Sequence, residues 1–133
     1  AKSIPEPEFW IHAAAVLDYE PEYNDGKMPS GAKNWNIELH PTKKHLQSLK
    51  EHVKGSRRIG FKLEVGVDEE TLISKSNDLI SENDLEAVVA NLLDEVHGHS
   101  KKRCRIVFSN GVVESIQDLP ELCQSIEDIV ASK

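Results

Sequence analysis

Phe9-Trp10-Ile11-His12-Ala13-Ala14-Ala15-Val16 is a nearly continuous apolar run that ends abruptly at Leu17-Asp18-Tyr19. Apolarity without alternation suits a strand buried on both faces of a parallel sheet better than a strand with one wet face. Before it, residues 1–8 carry two prolines and three charges and read as a lead-in, because proline neither donates to a ladder nor continues a helix. A single α/β domain is expected over 9–133. Behind the run, Glu20 to Lys33 holds Pro21, Gly26, Pro29 and Gly31, a loop long enough to be functional or mobile. Trp35-Asn36-Ile37-Glu38-Leu39 alternates apolar with polar and predicts a short strand, so 20–39 reads as a loop or arm.

Further outward the punctuation is regular. Thr42 follows Pro41 as an N-cap, Leu46, Leu49 and Val53 recur at helical spacing, and Gly55 closes about three turns. Ile59 to Val65 is the next strand. Asp68 opens a second helix with Leu72, Ile73, Leu79 and Ile80 on one side, fading at Glu82-Asn83-Asp84. Ala87 to Ala90 is a short buried strand ending at Asn91. Asn110-Gly111 between Cys104–Phe108 and Val112–Ile116 is a strong hairpin signal. Asp118 and Glu121 have capping-box spacing, and Leu122, Cys123, Ile126, Ile129 and Val130 are placed on one face of a closing helix. This order predicts a Rossmann-like, three-layer open α/β sheet, mainly parallel with an antiparallel C-terminal hairpin. Ligands in such sheets sit outside the strands' carboxyl ends: here Asp18 and its loop, Glu64 to Asp68, and Asn91 to His99.

Composition narrows the classes. Among 133 residues, 16 Lys and Arg oppose 23 Asp and Glu, a net charge of −7 that disfavours nucleic acid and anionic lipid. No apolar run approaches the roughly 20 residues of a membrane helix. Cys104 and Cys123 sit in patterned apolar surroundings and read as buried, reduced thiols, which predicts a cytosolic protein.

Neither GxGxxG, GxxxxGK[ST] nor GxSxG occurs, so dinucleotide-fingerprint, P-loop and serine-hydrolase readings drop out. Gly55-Ser56-Arg57-Arg58-Ile59-Gly60 precedes a strand, where a helix stop and solvated turn outweighs a phosphate cradle. His97-Gly98-His99 lacks partners at metal-site spacing. The histidines at 12, 40, 45 and 52 are dispersed and read as surface or packing residues. Ala13-Ala14-Ala15 is more informative. Small residues at a strand's carboxyl end leave backbone open to a flat ligand, and Asp18 follows; close helix-to-sheet packing explains the alanines equally well. Lys27, between Gly26 and Pro29, could swing over that strand end as a cation or simply be solvated.

Taken together, His12 to Pro21, Gly26-Lys27, Leu39-His40-Pro41-Thr42, Ile59-Gly60-Phe61-Lys62-Leu63-Glu64 and Val88-Val89-Ala90-Asn91 resemble phosphopantothenate-cysteine ligase, closest to the stand-alone type, from about Phe9 to the C-terminus. The resemblance implies a step of coenzyme A biosynthesis. CTP or ATP, accompanied by Mg²⁺, activates the carboxylate of 4'-phosphopantothenate as an acyl nucleotide, and the amine of cysteine displaces the nucleotide. It assigns nucleotide binding to Ala13, Ala14, Ala15, Asp18, Phe61, Lys62 and Asn91, and a catalytic role to Lys27. No residues are assigned to a metal. The 20–39 arm resembles the one through which these enzymes form homodimers. The family's glycine-rich first part has no counterpart, which implies a C-terminal part acting as one subunit, with an N-terminal-half partner, or as a fragment. The family's two helix lysines fall at Leu79 and Asn83, so Lys62 and Lys75 are expected to supply charge instead. Two alternatives remain open: a non-catalytic relative binding a nucleotide or a partner, and an interaction module self-associating through an exposed sheet edge.

Overall fold

The computed structural model describes residues 5–15, 17–23, 25–27, 30–31, 33–34, 36–97 and 102–132. The elements run β1 (Phe9–His12), β2 (Tyr19–Pro21), β3 (Leu39–Pro41), α1 (His45–His52), β4 (Arg57–Glu64) and α2 (Glu69–Asn83). There follow β5 (Ala87–Leu92), α3 (Leu93–His97), β6 (Cys104–Phe108), β7 (Val113–Ile116) and α4 (Leu119–Ala131). The five-stranded sheet has the order β1-β4-β5-β6-β7. β1, β4 and β5 are parallel, and β6 and β7 close it as an antiparallel hairpin. The expected α/β sheet with its hairpin edge is therefore present, and β2 and β3 form a separate antiparallel ribbon.

Alternation along the strands feeds two cores. Ile59, Ala87, Val89, Cys104, Ile106 and Ile116 pack under Leu122 and Ile129 of α4, while Val88, Ala90 and Val107 pack under Leu72 and Ile80 of α2. Leu46 of α1 joins the second cluster, so helices cover both sheet faces. Gly60 permits this closeness. A Cβ there would lie 2.9 Å from Leu85 Cδ1, so the Leu85 side chain would have to shift to admit it, while Leu46 Cδ1 of α1 at 3.7 Å would be in ordinary contact.

Several sequence expectations need correction. The apolar run 9–16 is not a doubly buried strand. β1 stops at His12 and forms the sheet edge, with Ile11 45% exposed and Ala13 to Ala15 exposed beyond it. Glu20 and Pro21, read as the start of a loop, form strand β2 together with Tyr19; its partner β3 begins only at Leu39, and Trp35 of the expected strand lies outside the described residues. Thr42 does not cap α1. Its hydroxyl donates to the Leu17 carbonyl and its N–H to the Asp18 carbonyl at 2.9 Å, so the helix starts later, with Lys44 at the N-cap, and is shorter than expected. β4 starts at Arg57 rather than after a solvated turn, because Arg58 is buried and Arg57 forks onto Glu86, with its Nε 2.8 Å from Oε2. Arg57 also donates to the Ile129 carbonyl at 2.9 Å, tying β4 to the end of α4.

α2 and α4 start as expected: Asp68 accepts from Thr71 N–H at 2.8 Å and Asp118 from Glu121 N–H at 2.9 Å. On α4, however, Cys123 and Val130 face outward, since the 3.6-residue period carries them off the stripe of Leu122, Ile126 and Ile129. Cys104 is the buried thiol, and burial pushes its pKa up to about 11, which leaves it unreactive at neutral pH.

Candidate functional site

A cleft of about 560 Å³ opens where β1 ends, between α1, α2 and the sheet. The crossover from β1 through α1 to β4 explains its place. A parallel β–α–β unit returns its helix so that the helix N-terminus lies at the carboxyl end of the first strand. The Thr42 bonds to Leu17 and Asp18 pin the two together. Residues from the strand end (His12, Ala14, Asp18), from β4 (Phe61, Lys62) and from the α1 start (Lys43, Lys44, His45) consequently face one space, with Leu79, Glu82 and Asn83 of α2 closing it.

Of the sequence-predicted site residues, Ala14, Asp18, Phe61 and Lys62 line this cleft. Ala13 and Ala15 flank Ala14 on the same exposed segment but do not line it. Asn91 pairs with Leu63 in the β4–β5 ladder, half-buried and outside the cleft. Lys27 is exposed beyond β2 and is not among the lining residues. Of the His97-Gly98-His99 reading, Gly98 and His99 lie outside the described residues.

The expected charge donors are arranged differently from the sequence reading. Glu64 takes both Lys62, at 2.9 Å, and Lys75, at 2.8 Å, and these bonds, that of Lys75 foremost, hold its carboxyl below the usual range. Lys75 does not line the cleft, so its charge is engaged elsewhere. Sequence reasoning missed His12, Lys43, Lys44 and His45. The signal that finds them is topological: a strand end and the start of the next helix share one sheet edge.

His12 is held below its ordinary pKa of 6.5, chiefly by burial and secondarily by the charge of His45. A nuclear magnetic resonance titration of His12 is expected to give a midpoint below 6.5, moving partway back in His45→Gln. Because folding lowers this pKa, the linked stability is lost as pH falls through 6.5. A His12 midpoint at or above 6.5 would contradict the buried placement.

Among the described residues no three His, Cys, Asp or Glu side chains converge as a metal cage, and no helix is long and apolar enough to cross a membrane.

The sequence matches the family described as DNA/pantothenate metabolism flavoprotein C-terminal domain over residues 1–131. It is 40% identical over 84 residues to the coenzyme A biosynthesis bifunctional protein CoaBC of Thermococcus kodakarensis, covering 62% of this chain. To the protein of that name from Methanocaldococcus jannaschii it is 31% identical over 85 residues, covering 64% of this chain. The matched region spans 21% of each relative's length. The fold is similar to the crystal structure of the DNA/pantothenate metabolism flavoprotein from Streptococcus pneumoniae, with a TM-score of 0.80, 22% identity, and coverage of 97% of this chain and 65% of that one. It also resembles a Cab2 mutant in complex with phosphopantothenate-cysteine, with a TM-score of 0.60, 23% identity, and coverage of 90% and 44%. With residues 1–131 of 133 matched, the chain belongs to the DNA/pantothenate metabolism flavoprotein C-terminal domain family.

Proposed function

We propose that this chain contributes the nucleotide-facing cleft of a phosphopantothenate-cysteine ligase. The observation that carries the reading is the convergence of Ala14, Asp18, Phe61 and Lys62 on one cleft at the end of β1, in a chain of this family. A carboxylate oxygen of 4'-phosphopantothenate attacks the α-phosphorus of CTP or ATP, and pyrophosphate leaves. The amine of cysteine then attacks the acyl carbon, the nucleoside monophosphate leaves, and the amine's proton passes to solvent.

Exposed backbone at Ala13 to Ala15 leaves room for a flat base, and Asp18 offers it or its sugar an acceptor. Lys27 serves as a cation toward the charge that develops on acyl and phosphoryl oxygens. Mg²⁺ enters as the companion of the triphosphate, whose oxygens supply much of its coordination, since among the described residues only Asp18 and Glu82 offer carboxylates within the cleft. The β2–β3 ribbon is the arm of a homodimer, an N-terminal-half subunit completes the sheet beyond the β1 edge, and the enzyme works in the cytoplasm.

The test mixes the chain with phosphopantothenate, cysteine and CTP or ATP, with and without a candidate N-terminal partner. Pyrophosphate release is expected to require all three substrates and to fall in Lys27→Ala. No pyrophosphate under any combination would overturn the reading.

A further inference from the structure

We propose that Lys43 and Lys44 form the anion-binding end of the cleft and take the phosphate groups of its ligand. The identity of that ligand rests on the ligase reading above, but the anion site itself stands on the geometry.

Three observations carry it. The first is a difference in engagement between the cleft's ammonium groups: Lys62 is bonded to Glu64, whereas Lys43 and Lys44 have no carboxylate or hydrogen-bond partner among the described residues. The cleft's own acids, Asp18 and Glu82, leave them unengaged, and its two histidines, His12 and His45, place further nitrogen donors beside them.

The second is placement. Thr42 is bonded to Leu17 and Asp18, so the two lysines that follow it are fixed at the strand end instead of riding on a free loop. The third is their position on α1. Lys44 occupies the N-cap, no side chain caps the helix, and its first turn holds no acid. Two cations at the positive end of a helix dipole repel it, and an anion between them removes that cost. α2 and α4 instead begin with a capping Asp and acids in the first turn. In a chain of net charge −7, the two unengaged lysines facing this cleft set a local positive charge against the overall negative balance.

A phosphate can reach the cleft from two sources, a nucleoside triphosphate or the phosphate monoester of phosphopantothenate. Calorimetric titration of the full chain with CTP, ATP, tripolyphosphate, phosphopantothenate and the bare nucleosides separates them. In Lys43→Ala/Lys44→Ala, phosphate-bearing ligands are expected to bind about 10- to 100-fold more weakly, with nucleoside binding unchanged. Lys43→Arg/Lys44→Arg is expected to restore most of the affinity, and Lys54→Ala, removing an exposed charge outside the cleft, to change it by less than about twofold.

Loss confined to CTP, ATP and tripolyphosphate assigns the lysines to a polyphosphate tail, and loss confined to phosphopantothenate assigns them to the monoester. Undiminished phosphate affinity in the double alanine variant overturns the proposal while nucleotide binding leaves the ligase reading intact. Lysine-dependent binding of tripolyphosphate without binding of CTP, ATP or phosphopantothenate does the reverse. No phosphate binding at all overturns both.

Discussion

Arg105→Met is expected to lower unfolding free energy at pH 7 by about 3–5 kcal/mol, because it breaks a buried ion network from one side. The Arg105 side chain is 2% exposed on β6, yet it reaches two helices. Its Nη1 and Nη2 fork onto Glu95 of α3 at 2.7 and 2.6 Å, and its Nε donates to Glu69, the first residue of α2, at 2.7 Å. Glu69, 45% exposed and also held by Lys102 at 3.1 Å, can rehydrate when Arg105 is lost. Glu95, 15% exposed, cannot do so readily, and its orphaned charge carries most of the penalty. Arg105→Lys is expected to fall between the two, since an ammonium replaces a two-pronged fork with a point charge.

The pH dependence has a definite sign. Arg105 foremost holds Glu69 down to about 2 and Glu95 below its ordinary 4.5. Folding therefore depresses both pKa values, so the network's contribution is complete above 4.5 and is lost as pH falls through that value toward about 2. In the methionine variant Glu95 is buried without its cation, which favours the neutral acid. The gap between wild type and variant should thus narrow from pH 7 to pH 4, read from urea midpoints at each pH. A gap of less than about 1 kcal/mol at pH 7, or one that does not change with pH, would mean that the network contributes little beyond a surface pair.

Periodicity and caps made most of the sheet legible. Asp68 and Asp118 announced α2 and α4, Asn110-Gly111 announced the β6–β7 hairpin, and Val88 and Val89 announced a buried strand, because each signal is local and its physics acts within a few residues. Position within the sheet was not legible. Phe9 to Val16 reads as central, yet its first half is an edge strand and its alanines are exposed, because apolarity alone does not record how many neighbours a strand has. The cleft was half legible. Asp18 and Lys62 carried a motif, whereas Lys43, Lys44 and His45 are ordinary surface residues until the return of α1 puts them beside His12. Thr42 shows the same limit: its spacing suits a helix cap, and its actual acceptor, the Leu17 carbonyl, lies 25 residues away.

The edge position of β1 gives a second large effect and its own control. Ile11 and Ile59 are partners in the parallel β1–β4 register and share a sheet face. Ile59 is 0% exposed in the core beneath α4, whereas Ile11 is 45% exposed. Ile59→Ala removes three buried carbons and leaves a space between β1, β5 and α4 that flanking strands cannot close, for an expected loss of about 3 kcal/mol. Ile11→Ala removes the same atoms from a half-wet surface, and scaling by buried area puts its loss near 1 kcal/mol. Urea unfolding with unchanged slopes separates the two directly. Similar losses at the two positions would mean that the outer edge of β1 is covered in solution. A β1 edge with unpaired N–H and C=O groups is a template for another strand, so repeating the Ile11→Ala measurement over a range of protein concentrations then tells self-pairing, where the loss grows with concentration, from cover supplied by this chain itself, where it does not.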